Sequence, residues 1–109
     1  LPDWVPLEIH GDVEAEVDKT YALLALQEMM LDSVKYRLLD RPLKICISLG
    51  KQEDQEIRIT YSDNGRGVPL DMKERIFEPF VRFSNPAEGQ STGVGLYFVR
   101  NVIVAHKGT

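Results

Sequence analysis

"QEMMLDSVKYR", residues 27–37, decides how the rest of the chain is read. It ends a run with the character of a packed helix, yet it carries Glu28, Asp32, Lys35 and Tyr36. At about 100° per residue the first three fall within an arc of about 60° on one side of that helix. The helical period extends from about Val13 to Leu39, with Leu23, Leu24, Met30, Leu31, Val34 and Leu38 forming one apolar face. Two acids and a lysine beside such a face call for a reason beyond packing.

Outward from this helix the elements alternate. On its N-terminal side "WVPLEIHGD" predicts a short strand, because Val5, Leu7 and Ile9 alternate with Pro6 and Glu8 before Gly11 ends it. Pro6 restricts that strand to a sheet edge. On the C-terminal side, after Asp40-Arg41-Pro42, "LKICISLG" and "EIRITYSD" alternate as two strands joined by the polar "KQEDQ", the pattern of an antiparallel hairpin. Then "NGRGVP" brings turn chemistry, "LDMKERIF" a short helical piece, and "RFSNPAEGQST" a polar stretch without periodicity, the candidate for a mobile loop. In "GVGLYFVRNVIVAHKG", Leu96, Val99 and Ile103 recur at helical spacing, with Gly108 as the expected C-cap.

The 109 residues suffice for one core, so a single domain over 1–109 is expected. Net charge is −4 with acids and bases interleaved, which leaves no electrostatic footprint for nucleic acid or an anionic membrane. Cys46 is the only cysteine and sits in an apolar run, consistent with a reduced structural thiol and a cytoplasmic setting. No apolar stretch is long enough to span a bilayer, so any tether to the inner membrane would lie in other segments. His10 and His106 stand in no phosphoacceptor-like motif.

Two glycine clusters, "DNGRG" and "STGVG", carry the strongest functional signal. Glycines let a backbone approach a phosphate or base closely, and the second cluster leads into a helix whose first amides attract anions. A phosphate-bearing ligand is expected. "STGVGL" does not complete a Rossmann fingerprint, and it lacks the Gly-Lys-Ser/Thr of a Walker loop.

The order of the pieces, an acid-bearing helix, Asp63-x-Gly65-x-Gly67, "FEPF", a polar loop and Gly93-x-Gly95-Leu96, resembles the catalytic ATP-binding (HATPase) domain of sensor histidine kinases. These are a branch of the GHKL superfamily, and the resemblance runs from "HGD" to "AHKG". It implies the Bergerat fold: an α/β two-layer sandwich with a mixed, largely antiparallel sheet and helices on one face. Family members add further β-strands after the last helix, so the chain resembles a fragment of a longer one. The family's N box, N-x-x-x-N-A-x-K-Y, is matched by Glu28-x-x-x-Asp32-Ser33-x-Lys35-Tyr36, which implies that these side chains face the phosphates of ATP and a magnesium ion (Mg2+).

Carried over residue by residue, the resemblance implies that Asp63 accepts from the adenine amino group while Gly65 and Gly67 pass close to the base. Asp63 is in phase with Ile57, Ile59 and Tyr61, which predicts an inward-pointing, buried acid. Lys35 would contact phosphate and Tyr36 would flank the adenine. Thr92, Gly93, Val94, Gly95 and Leu96 would form the phosphate cradle, beneath a lid from Arg82 to Thr92 hinged at Phe77 and Phe80. Asp32 would hold the metal. Glu28 would be a catalytic base or a further metal partner. The departures are Asp32 for asparagine, Ser33 for alanine and Ser91 for the first glycine of the second box.

The implied function is γ-phosphoryl donation to a histidine on a separate dimerisation domain, with a response regulator downstream. Two other readings share these residues: a degenerate nucleotide-binding or regulatory interaction module, favoured by Asp32, Ser33 and Ser91, and an anti-sigma-type serine kinase, opposed by "FEPF".

Overall fold

The computed structural model describes residues 5–79 and 95–109. Strand β1 (Leu7–His10) is followed by helix α1 (Lys19–Lys35), strands β2 (Ile45–Lys51) and β3 (Ile57–Asp63), two 3-10 turns (Leu70–Met72 and Arg75–Phe77) and helix α2 (Gly95–Ala105). The expected lid over 82–92, and with it Phe80, Ser91, Thr92, Gly93 and Val94, lies outside the described residues.

The sheet has the order β1-β2-β3. β1 runs parallel to β2, with Leu7 opposite Ile45 and Ile9 opposite Ile47. β2 and β3 form the expected antiparallel hairpin, from Ile45 opposite Asp63 to Lys51 opposite Ile57. As Pro6 predicts, β1 is at the edge of this described sheet. A parallel neighbour requires a crossover, and α1 supplies it. Gly11, which ends β1, has φ +90, and a β-carbon there would run into the carbonyl oxygen of Leu49. No other residue type fits that position.

The core is Val5, Leu43, Ile45 and Ile47, with Leu26, Met30, Val34, Leu49 and Tyr61 packed against it. The inward stripe of α1 is therefore Leu26, Met30 and Val34. Leu23, Leu24 and Leu31, expected on the apolar face, are exposed. The N-terminal half of α1 packs instead on α2, where the rings of Tyr21 and Phe98 lie 6.4 Å apart.

Both ends of α1 differ from the expected span of 13–39. Asp18 is the N-cap: its backbone is extended, and its carboxylate accepts from the Tyr21 N–H at 3.1 Å. The Asp18 N–H donates to Nε2 of His106 at 2.9 Å. A backbone amide can only donate, so Nε2 is the acceptor, and Nδ1 carries the proton that it gives to the Val102 carbonyl at 2.7 Å. This long-range tie fixes where α1 starts. At the other end the Tyr36 backbone leaves the helical region, and its carbonyl accepts from the Arg66 N–H instead of continuing the helix.

Two further expectations change in detail. "LDMKERIF" forms two separate 3-10 turns rather than one helical piece. The C-cap of α2 is a Schellman arrangement: Gly108 N–H bonds the Ile103 carbonyl and Lys107 N–H bonds the Val104 carbonyl, both at 2.9 Å. Lys107, with φ +63, takes the left-handed position that the sequence pattern assigns to Gly108. No helix among the described residues is long and apolar enough to cross a membrane.

Candidate functional site

The end of β3 and the C-terminal half of α1 build one polar site. Register with β2 turns Ile45 and Ile47 toward α1, and the same face of β3 carries Tyr61 and Asp63. Asp63 does point toward α1 as its phase predicts, but the residue is exposed at the mouth of the site rather than buried.

Its partners come from both elements. Ser33, the one buried polar side chain among the described residues, donates its hydroxyl to Asp63 Oδ2 at 2.6 Å. Asp63 Oδ1 accepts from the Gly65 N–H at 2.9 Å. Ser33 Oγ also lies 2.5 Å from the Tyr61 hydroxyl, which reaches the Met29 carbonyl at 3.2 Å. Ser33 has only one hydrogen and gives it to the carboxylate, so the single Tyr61 proton is shared between Ser33 Oγ and the Met29 carbonyl. Burial, opposed by the Ser33 hydrogen bond and reinforced by Asp63 and Asp32, raises the Tyr61 pKa above its usual value. The phenol therefore stays protonated and able to donate.

The "DNGRG" loop is tied down at three further points. Asn64 Oδ1 accepts from the Lys44 N–H at 2.8 Å and its Nδ2 donates to the Pro42 carbonyl at 3.0 Å. Arg66 N–H donates to the Tyr36 carbonyl at 3.3 Å. Gly65 presses against that same carbonyl: a β-carbon there would meet it, and Asp63 Oδ1, at 3.0 Å. Gly67 differs, with open space around it but φ +76. One glycine is required by closeness and the other by backbone conformation.

The acid-bearing side of α1 is the second half of the site. Asp32 has its pKa raised from 3.8 to about 6. Burial is the first cause and the Asp63 charge the second; Glu28 adds a smaller push, and Lys35 and Arg66 oppose without cancelling. Glu28 lies at the other end of this surface, where its Oε2 sits against the α-carbon of Gly95: a β-carbon there would come within 2.8 Å. Its carboxylate thus faces the N-terminus of α2, where the helix dipole favours negative charge. The Tyr36 ring is contacted by Arg66, whose guanidinium carbon is 4.7 Å from the ring centre, and by Lys35, whose Nζ is at 5.6 Å.

Glu28, Asp32, Lys35, Tyr36, Asp63, Gly65 and Gly95 are thereby brought into one neighbourhood. Gly67 lies on the loop's open side, and Leu96 is half-buried in the first turn of α2. Sequence reasoning missed Arg66, Asn64 and Tyr61. The signal for Arg66 was its place between two glycines of a loop that must return to α1. Ser33, read only as a departure, orients Asp63.

A mixed sheet layered under two helices, with an acid-bearing helix facing the loop after the hairpin, is the two-layer arrangement expected of a GHKL-type domain. The chain belongs to the family of histidine kinase-, DNA gyrase B-, and HSP90-like ATPases, whose model matches residues 17–109. It is similar to the adaptive-response sensory kinase SasA of Rippkaea orientalis, with 30% identity over 94% of this chain and 27% of that protein. The same kinase from Prochlorococcus marinus is 30% identical, over 94% of this chain and 29% of its own length. The chain thus spans less than a third of these relatives. Among solved structures, the mycobacterial sensor histidine kinase MprB superposes with a TM-score of 0.81 at 19% identity, covering 96% of this chain and 66% of that one. The catalytic domain of histidine kinase ThkA gives 0.74 at 23% identity, covering 94% and 65%. These two likenesses speak for the fold alone.

Proposed function

We propose that this chain is the Mg-ATP-binding catalytic domain of a two-component sensor histidine kinase, acting in the cytoplasm on a histidine of a separate dimerisation domain and upstream of a response regulator. The observation that carries this reading is Asp63, held by the Ser33 hydroxyl and the Gly65 amide at the open mouth of the site. There its carboxylate can accept the amino group of adenine, while Gly65 and Gly67 keep the approach free of side chains.

The donor set also fits magnesium. Asp32 and Glu28 offer hard oxygen ligands, and Asp32 is partly withdrawn from water beside the charges of Asp63 and Glu28, which raises its pKa to about 6. Asp32 is the metal ligand in this reading, with Glu28 as catalytic base or second ligand. A bound magnesium ion would neutralise phosphate charge at the transfer step. Lys35 places a cation beside the same site, and the amides at the start of α2, with Gly95 and Leu96, are oriented toward an anion. Catalysis of this kind is mainly positioning and charge neutralisation, and the nucleophile arrives from the partner domain.

Calorimetry with ATP, with and without magnesium, tests binding. Phosphotransfer to a histidine-bearing dimerisation domain supplied in trans tests the reaction. Magnesium-dependent binding followed by acid-labile phosphorylation is the expected result; absence of ATP binding under both conditions refutes the proposal. A second reading, a module that binds nucleotide weakly and serves in regulation, is favoured by the crowding of Asp32, Asp63 and Glu28. It predicts binding without transfer.

A further inference from the structure

The face of the sheet turned away from α1 carries a second cluster, unrelated to the ATP site. Ile45 and Ile47 point into the core, so Cys46 between them points to the opposite face. Parallel pairing sets Glu8 directly beside Cys46, and His10, two residues further along β1, shares that face. A carboxylate oxygen of Glu8, an imidazole nitrogen of His10 and Sγ of Cys46 all lie within 4.8 Å of one another.

We propose that Glu8, His10 and Cys46 form a site for a zinc ion. Three donor types from two paired strands are the set that zinc accepts, and a thiolate with an imidazole selects against magnesium and calcium. Tetrahedral zinc with bonds of about 2.0–2.3 Å needs donors about 3.3–3.8 Å apart. His10 Nε2 and Glu8 Oε2 are already at 3.4 Å. Their side chains are 64% and 71% exposed, so both can turn the remaining distance toward Cys46, which is half-buried and fixed by the central strand. The backbone needs no movement, because the pairing of β1 with β2 sets the spacing. The fourth position faces solvent and takes water, the layout of an open site.

On binding, the Cys46 thiol releases its proton to solvent and a sulfur–zinc bond replaces the S–H bond, so affinity falls as the solution is acidified. The ion joins the edge strand to the centre of the sheet and stabilises that pairing as its concentration rises above Kd.

The test uses the whole chain, with cobalt(II) as a spectroscopic probe and zinc as competitor. The expected result is a thiolate-to-cobalt charge-transfer band with the intense visible absorption of a tetrahedral ion, abolished by stoichiometric zinc. Losing an outer partner of a metal ligand already costs about 10- to 100-fold in affinity, so Cys46→Ser and His10→Gln should each weaken zinc binding by about 100-fold. His10→Gln alters an exposed side chain and decides the matter if Cys46→Ser fails to fold. A cobalt complex without the thiolate band, zinc affinity unchanged in His10→Gln, or no zinc binding overturns the proposal.

Discussion

Asp63 and Asp32 lie on opposite walls of one site and are treated in opposite ways by the fold. Asp63 is supplied with donors from α1 and from its own loop, the Ser33 hydroxyl at 2.6 Å and the Gly65 amide at 2.9 Å. Asp32 is placed among other acids and partly removed from water, with its proton affinity raised until its pKa reaches about 6. One carboxylate is oriented by hydrogen bonds, as a group that reads a ligand must be. The other is partly buried beside like charge, so it holds its proton more tightly than a free aspartate does. In the proposed reading the end of β3, braced by Ser33 of α1, is thus a reading wall, and α1 with Asp32 is a charge-binding wall.

The most direct way to break this contrast is on the reading wall. Asp63→Asn keeps an oxygen for Ser33 but removes the charged acceptor, and it should weaken ATP binding about tenfold or more, since a hydrogen bond to a charged group is worth about 1.5 to 3 kcal/mol. The exposure of Asp63 argues for the lower end. Calorimetry reads the affinity and circular dichroism the fold; unchanged affinity would remove Asp63 from the base site.

On the other wall, Asp32→Asn should improve binding of metal-free ATP more than binding of Mg-ATP, measured by titration in chelator and in magnesium. A pH effect follows in the metal-free chain. The folded-state pKa is raised, so the chain holds the Asp32 proton more tightly than the unfolded chain does. The associated stability is fully present below about pH 4 and lost as pH rises through about 6. Thermal or urea unfolding should show Asp32→Asn gaining about 1 to 3 kcal/mol over wild type at pH 7, with the difference vanishing near pH 4. An equal difference at both values would mean that Asp32 is not titrating against its neighbours.

Ser33→Ala sharpens the comparison by removing the link between α1 and Asp63. A lost buried hydrogen bond predicts about 1 to 2 kcal/mol less stability by urea unfolding, together with weaker ATP binding as Asp63 loses orientation. If ATP affinity is unaffected, the Gly65 amide alone positions the carboxylate. The smallest effect should come from the two glycines of the loop. Gly67→Ala should cost about 1 kcal/mol through its left-handed backbone, with Gly67→Asn recovering most of it. In Gly65→Ala, by contrast, the added methyl would press on the Tyr36 carbonyl and Asp63, so asparagine should give no rescue.

The sequence made the hairpin legible because Ile45 to Leu49 and Ile57 to Tyr61 alternate cleanly and a polar loop separates them. The clustering of Glu28, Asp32, Lys35, Tyr36, Asp63 and Gly65 was legible too, because charged and glycine residues stood out against apolar runs, whereas Tyr61, Asn64 and Arg66 did not stand out. The limits of α1 were not. Helical period continues through Val13–Val17, and Asp18 sets the start, with its carboxylate capping the Tyr21 amide and its own amide bonded to His106 across 88 positions. Likewise the helix stops at Lys35 because the Tyr36 carbonyl is taken by the Arg66 amide, a partner that local propensity cannot see. The inward stripe of α1 was misread for a related reason. Period identifies a face, but which part of that face meets the sheet and which meets α2 depends on where the second helix lies.

The His106–Asp18 bond also has a mechanical consequence. It clasps the C-terminal end of α2 to the N-terminal cap of α1, while the opposite end of α2 abuts the Glu28 carboxylate at Gly95. Eleven residues at 1.5 Å each make α2 a rigid arm about 16 Å long. The ring of a histidine remote from the polar site therefore pins one end of α2 to α1, with Tyr21 and Phe98 packed between, and so fixes from a distance where the glycine end of α2 meets the Glu28 carboxylate.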